Sequence, residues 1–198
     1  MQEGESLPKD HFSVNCGERE FENERDAAAY LADLKKRLVD IKKWNQHAGL
    51  STYELFDQNG VPIERPITPG LFMRITLTGS GKPDWVKIED VFESADEIVI
   101  TVKPTYDPTE DPPQTGKTSH FFSSAATNNF CAFSEGSKVS LYVIGLNETL
   151  NSGHTSGLIE TARNTMVANL GYYLGVQKAE WTNFCQSFLA DQKEPAAK

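Results

Sequence analysis

The feature that most constrains the fold is a β-hairpin pattern within residues 118–151. Apolar residues alternate through residues 126–133 and again through residues 138–148, and successive side chains of a strand point to opposite faces of a sheet. Between the two runs, Glu135-Gly136-Ser137 supplies a glycine, which tolerates the positive φ that a tight turn requires. Both faces of the hairpin carry apolar residues, so we expect each face to be covered at least in part.

Further strands are predicted before this hairpin. Gln58-Asn59-Gly60 stands between two alternating runs, and Asn-Gly in that position is a strong hairpin signal. The other runs either alternate in the same way or are rich in β-branched residues, and together they predict an antiparallel meander of about six to eight strands. The predicted strands before the hairpin are residues 12–14, 52–57, 61–64, 71–78, 85–92 and 97–103.

Helices are predicted on both sides of the meander. Asn23 is a suitable N-cap, and the apolar residues between it and Gly49 recur at steps of three and four, which predicts one amphipathic helix. The same spacing recurs in residues 157–174 and 178–190, separated by Gly175. This second pattern predicts a C-terminal helix, either one bent helix or two, packed on the sheet.

These elements predict an α+β fold with the N-terminal amphipathic helix, the meander and the C-terminal helix or helix pair. We expect residues 1–22 to be a polar, partly mobile segment, residues 23–191 to form a single domain and residues 192–198 to be a disordered tail. The element order resembles the START-like helix-grip architecture, in which a curved sheet closes around a long helix. That resemblance implies an apolar cavity between the sheet and the helix.

The charge and the cysteines exclude some functions. With 19 Lys and Arg against 28 Asp and Glu, the chain has a formal net charge of −9, which argues against nucleic acid as a partner. Three cysteines cannot all pair, and Cys131 and Cys185 lie in apolar runs, as expected of buried thiols in a reducing compartment. Since the sequence also lacks an apolar leader and a membrane-length apolar stretch, we expect a cytoplasmic protein.

The sequence predicts no catalytic residue, cofactor or metal site. Its four histidines are scattered and form no ligand pair with a metal-binding spacing. Gly116-Lys117-Thr118 resembles the end of a P-loop, but Asp111 stands where that motif needs its first glycine. Residues 104–117 hold four prolines together with acidic residues, which predicts a long exposed loop whose role the sequence leaves open.

Some polar and aromatic residues are candidates for a ligand site. Arg163 could pair with Glu148, either to tie the C-terminal helix to the sheet or to bind a ligand. Asn128 and Asn129 are unfavourable in a strand, so we expect one of them to point inward to a partner or outward to water. The candidate ligand-binding residues are Trp85, His120, Phe122, Tyr142, Glu148 and Arg163.

Three functions remain open from sequence. The favoured prediction is a non-enzymatic binding or interaction protein, an acidic adaptor or inhibitor for a protein partner, which could be basic. The second is a carrier of a small apolar ligand, held between the curved sheet and the C-terminal helix. The third is an enzyme with a site near His120, Glu148 and Arg163. A carrier should enclose an apolar pocket, whereas an interaction module should combine a filled core with an exposed apolar patch.

Overall fold

The computed structural model describes residues 12–78, 82–120, 122–147 and 179–190 of the chain. Within them, helices pack against a large antiparallel sheet, which confirms the predicted α+β class. The sheet has eight strands in the described residues: β1 Phe12–Glu20, β2 Ser51–Phe56, β3 Pro62–Ile63, β4 Phe72–Leu77, β5 Asp84–Glu93, β6 Glu97–Pro104, β7 Thr127–Glu135 and β8 Lys138–Leu146.

The order of strands across the sheet is β1-β8-β7-β6-β5-β4-β2-β3. Strands β4 to β8 follow one another as the predicted meander, while β1 and β3 lie at the two edges. β1 is longer than the predicted strand 12–14 and pairs with β8 from Phe12, opposite Leu146, to Glu20, opposite Lys138. The sheet therefore begins inside residues 1–22, which the sequence predicted to be a polar, partly mobile segment. The sequence predicted only the start of β1 because the later residues of this strand are polar and show no apolar alternation.

The central hairpin forms as predicted. β7 and β8 pair from Thr127, opposite Leu146, to Glu135, opposite Lys138. Gly136, the first residue of the two-residue loop, has a φ of 57°, as the first position of a type II′ turn requires. β8 also pairs with β1 on its other side, so this hairpin is an interior part of the sheet.

The predicted N-terminal helix is two helices, α1 (Glu24–Leu38) and α2 (Ile41–His47). Asn23 caps α1 as expected: its Oδ1 accepts a 3.0 Å hydrogen bond from the backbone N–H of Asp26. The break follows from a second N-cap, because Asp40 has an extended backbone and its Oδ1 accepts from the N–H of Lys42 at 3.0 Å.

The helices cover one face of the sheet, called the inner face below. Residues 179–189 are helical and are called the C-terminal helix. Side chains from all three helices join the inward side chains of the strands in one buried core. No helix among the described residues is long and apolar enough to span a membrane. Members of the core are Leu31, Leu34, Trp44, Tyr53, Met73, Ile88, Ile100, Phe130, Leu141, Trp181, Phe184 and Phe188.

The opposite, outer face of the sheet carries a second, smaller core over β2, β4 and β5. Phe56, Phe72 and Trp85 are buried there, and Tyr106 packs on them with its ring 5.3 Å from that of Phe72. Tyr106 belongs to residues 105–120 and 122–126, which are called the covering loop below. Most of the predicted exposed loop 104–117 is exposed, but Pro104 ends β6 and Pro108 is buried.

Candidate functional site

The space between the sheet and the helices is occupied by aromatic rings in the described part of the chain. The ring centroid of Trp44 on α2 lies 4.5 Å from that of Phe130 on β7 and 5.2 Å from that of Phe184 on the C-terminal helix. Trp181 lies 5.2 Å from the same Phe130. Trp44, Phe130 and Phe184 are no more than 2% exposed. The aromatic side chains of the sheet, α2 and the C-terminal helix are therefore in mutual contact.

Two buried polar atoms at this inner core have no hydrogen-bond partner among the described residues. Asn128 on β7 points inward and is 6% exposed, and its Oδ1 is unpartnered. The Nε1 of Trp181, a residue that is 8% exposed, is also unpartnered. The next residue, Asn129, points outward, where its Oδ1 accepts from Thr101 Oγ1 at 2.9 Å and its Nδ2 donates to the Ile144 carbonyl. The two asparagines thus divide between the faces, as period-two alternation requires.

Three of the predicted ligand residues lie in the covering loop or are bonded to it. Trp85 is 1% exposed and packs edge-on against Phe56, with ring centroids 4.9 Å apart. Its backbone N–H donates to the Ser119 carbonyl of the covering loop at 2.8 Å. His120 and Phe122 follow in that loop, both buried, and the Phe122 N–H donates to His120 Nδ1 at 2.9 Å. This geometry indicates a loop fixed onto the sheet.

The other predicted ligand residues lie elsewhere. Tyr142 is on β8, three strands away from the strand of Trp85, which is about 14 Å at the usual strand spacing. Glu148 and Arg163 lie outside the described residues, so their predicted ion pair stays a prediction. The described members therefore do not converge on one site. The sequence grouped them because residue types do not reveal how far apart their strands lie in the sheet.

The half of the outer face away from the covering loop carries an apolar surface in the described residues that the sequence did not single out. Tyr142, Cys131, Val99 and Phe92 follow one another across β8, β7, β6 and β5 as direct cross-strand neighbours. Phe92 is 49% exposed, and Val14 on β1 is 41% exposed. The outer patch, as this surface is called below, consists of Val14, Phe92, Val99, Phe133, Tyr142 and Ile144. The sequence did contain a signal for this surface, because the alternation in the central hairpin places apolar residues on both faces of the sheet.

Tyr142 is the most connected member of the outer patch. Its ring stacks on that of Phe133 with centroids 5.7 Å apart and planes 11° apart. Its hydroxyl lies 3.4 Å from Glu18 Oε1, which Lys138 Nζ also approaches at 3.2 Å. Desolvation, together with the Glu18 carboxylate, raises the pKa of Tyr142. The phenol is therefore neutral and can donate a hydrogen bond at physiological pH.

Acidic side chains border the outer patch. Glu97 lies directly opposite Phe133, and Asp90 lies opposite Thr101, two pairs along from the pair of Phe92 and Val99. Glu18 borders the patch on the β1 side, where Lys138 pairs with it. The sign of this border agrees with the formal net charge of −9 for the whole chain.

Two of the three cysteines lack the electrostatics of a reactive thiol. Cys185 is buried against the inner face, and its burial raises the pKa of the thiol to about 12. Cys131 was predicted to be buried but is only partly so, because it points to the outer face; desolvation, with a smaller effect of Glu97, raises its pKa. A nucleophilic cysteine needs a lowered pKa. Among the described residues, no three His, Cys, Asp or Glu side chains gather as metal ligands.

No family model matches the chain, and no curated protein matches it. Solved structures of related shape include hypothetical protein jhp0584 from Helicobacter pylori, with a TM-score of 0.48 and 10% identity over 90% of this chain and 96% of that one. A protein from Staphylococcus epidermidis, solved by solution NMR, has a TM-score of 0.39 and 12% identity over 96% and 98% of the two chains. Ara h 8.0201 has a TM-score of 0.35 and 15% identity over 82% and 99%. Because all three TM-scores are below 0.5, these likenesses assign neither a family nor a function.

Proposed function

We propose that this chain is a non-enzymatic interaction module that binds a protein partner on the outer patch. The observation that carries the proposal is the exposure of an apolar row on a sheet face that antiparallel sheets usually keep polar. Phe92 and Val14 are 49% and 41% exposed at opposite ends of the outer patch. Contiguous apolar surface of this kind is typical of protein–protein contact sites.

The composition of the outer patch supports a protein partner. Aromatic residues are enriched at the centres of protein interfaces, where they bury large areas at a small cost in conformational entropy. Tyr142 and Phe133 stack on each other in the middle of the patch, so their rings are already ordered before a partner binds. Such preorganisation reduces the entropic cost of association.

The charge around the outer patch supports a basic partner. Glu97 and Asp90 lie beside the apolar row, and the whole chain has a formal net charge of −9. Complementary charge speeds the encounter of two proteins and orients them. We therefore propose a partner whose contact surface has an apolar centre surrounded by Lys and Arg side chains.

A comparison of two single-residue variants tests this function. Phe92→Ser removes the most exposed side chain of the outer patch, and Val61→Ser removes a side chain that is 53% exposed near the other edge of the sheet. Each variant is immobilised and used to capture proteins from an extract of the source cells. We expect one basic protein to be retained by the wild-type chain and by Val61→Ser but lost with Phe92→Ser.

The captured protein is then purified and titrated against the same three chains. We expect Phe92→Ser to weaken its binding by about 1–2 kcal/mol or more, as the loss of an interface anchor does, and salt to weaken it further. Equal affinity for Phe92→Ser and the wild-type chain would overturn the outer patch as the contact surface.

A second function is favoured by the two unpartnered atoms at the inner core. Asn128 Oδ1 can accept and Trp181 Nε1 can donate a hydrogen bond, and both residues border the sheet-to-helix interior. A carrier of a small apolar ligand with one polar group would use such atoms, since ligand sites combine apolar walls with a few polar groups. The resemblance to the START-like helix-grip architecture supports this second function, since that architecture implies an apolar cavity. In the described residues, β1 lies beside β8 and the C-terminal helix packs on the inner face.

Native mass spectrometry of protein purified gently from its own source separates the two functions. A carrier should keep an additional mass of a few hundred daltons that is lost on denaturation. An interaction module should give the mass of the chain alone or of a complex with a second protein. The enzyme reading stays a prediction, since Glu148 and Arg163 lie outside the described residues, and so does the cytoplasmic location.

A further inference from the structure

A histidine lies buried between α2 and the C-terminal helix. His47, the last residue of α2, is 6% exposed. Its Nδ1 lies 2.7 Å from Ser187 Oγ, and its ring centroid is 4.5 Å from that of Phe188. Both contacts reach the C-terminal helix. The imidazole is therefore part of the surface by which that helix is held.

The charged groups around His47 are mainly cationic. Arg37 on α1 donates from Nη1 to the Phe188 carbonyl at 2.7 Å, and its guanidinium lies 6.0 Å from the Phe188 ring centroid. Lys43 lies one turn before His47 on α2. Asp33 is bound to Arg37 at 2.8 Å and so compensates that cation. Glu180 on the C-terminal helix accepts a 2.7 Å hydrogen bond from the backbone N–H of Leu50, three residues beyond His47. The C-terminal helix presents Ser187, a neutral group, to the imidazole.

We propose that His47 is an acid-sensitive latch: its protonation loosens the C-terminal helix from α1 and α2. A protonated imidazole in this place is a buried cation beside two others, and neither Ser187 nor Phe188 can neutralise it. Undocking the helix returns the imidazolium to water. The aromatic rings of Trp181 and Phe184 then leave Phe130 and Trp44, so the inner core opens.

The direction of the pH dependence follows from the environment of the imidazole. Desolvation first, and then Arg37 and Lys43, lower the pKa of His47 below its ordinary value of 6.5. A base whose pKa is lowered by docking prefers the docked state when it is neutral. The contribution of His47 is therefore complete above pH 6.5. It is lost as the pH falls from 6.5 towards the lower pKa of the docked state.

Hydrogen–deuterium exchange of the full chain tests the latch. Protection of residues 179–190 is measured at pH 7.5 and pH 5.0, divided by the intrinsic exchange rate at each pH, and compared with the protection of α1. In the wild-type chain we expect the C-terminal helix to lose protection at the lower pH. The protection factor should fall about tenfold for each unit by which docking lowers the His47 pKa. If the lowered pKa lies below pH 5.0, only the units between 6.5 and 5.0 count in this experiment. In His47→Gln, which cannot be protonated, we expect no such loss.

A second variant keeps the test decisive if His47→Gln does not fold. Lys43→Gln removes one cation from a partly exposed position, so it should reduce the loss of protection between the two pH values while leaving α1 unchanged. Equal losses in the wild-type chain and in whichever variants fold would overturn the proposal, and so would a wild-type helix that keeps its protection at pH 5.0.

Discussion

Arg37 Nη1 donates a 2.7 Å hydrogen bond to the backbone carbonyl of Phe188, a residue 151 positions later in the chain. The bond joins the last turn of α1 to the end of the C-terminal helix. Carbonyls at that end of a helix lack intrahelical donors, and a cation there also interacts favourably with the helix dipole. Arg19 Nη1 and Tyr30 Oη donate in the same way to the carbonyl of Leu189. Side chains from β1 and α1 thus supply the missing donors of the C-terminal helix.

Replacing Arg37 should weaken this attachment. Arg37→Met keeps much of the aliphatic length but leaves the Phe188 carbonyl without its donor, and we expect the free energy of unfolding to fall by about 1–3 kcal/mol. Lys36→Met is the matched control, since the neighbouring Lys36 is exposed. Urea denaturation followed by circular dichroism measures both. An equally small effect of the two substitutions would show that the bond does not stabilise the fold.

The close approach of the C-terminal helix to β1 gives a second prediction. A Cβ added to Gly17 would lie 3.1 Å from the backbone carbon and oxygen of Cys185 and 3.1 Å from Leu189 Cδ1. Backbone atoms cannot move aside cheaply, so we expect Gly17→Ala to destabilise the chain by about 1–3 kcal/mol.

The control for this prediction is Gly116→Ala in the covering loop, where an added Cβ would meet nothing within 4 Å. We expect the control to change the urea midpoint very little. A stable Gly17→Ala variant would mean that the helix is not held against β1 in solution.

Neighbouring residues of β6 should respond differently to the same polar substitution. Ile100 points to the inner core and is fully buried, whereas Val99 points to the outer patch and is only partly buried. We expect Ile100→Thr to cost about 2–4 kcal/mol, because it removes core packing and buries a hydroxyl. Val99→Thr should cost less than about 1 kcal/mol. Thermal unfolding of both variants checks the assignment of the faces, which similar costs would contradict.

The thiols should react at clearly different rates. Cys16 is exposed, Cys131 is partly buried, and Cys185 is buried with a pKa raised to about 12. With a chromogenic disulfide reagent at pH 7.5, we expect Cys16 to react first and Cys185 only after denaturant is added. Cys16→Ser should remove the fast phase. A fast phase that survives in Cys16→Ser would contradict the described burial of the other two thiols.

Sequence patterns predicted the local structure well because each pattern has a local physical cause. Asn23 accepts the N–H bond of an N-cap, and Gly136 supplies the positive φ of the central turn. Asp40 offered a comparable signal that the sequence reading passed over, and it divides the predicted helix into α1 and α2. Capping depends only on neighbouring residues, so it is visible in the sequence.

The candidate site could not be predicted in the same way, because it depends on which helix or loop covers each part of the two faces of the sheet. The alternation of β7 and β8 indicates two apolar faces but not which face the helices take. Trp85 and Tyr142 point to the same outer face, yet the covering loop lies over the strand of Trp85, and the strand of Tyr142 belongs to the outer patch. The contact of His47 with Ser187 joins residues 140 positions apart, and no local pattern marks it.

The position of β1 beside β8 has a consequence for how this chain reaches its native state. Lys138 and Glu18, which form an ion pair across these strands, are 120 residues apart in the chain. Closing so long a loop costs entropy before any contact repays it, and folds rich in such pairings form slowly. During synthesis β1 leaves the ribosome well before β8, its partner in the described sheet, has been made. For that interval, a chaperone or a nascent helix that shields residues 12–20 would protect the chain from aggregation.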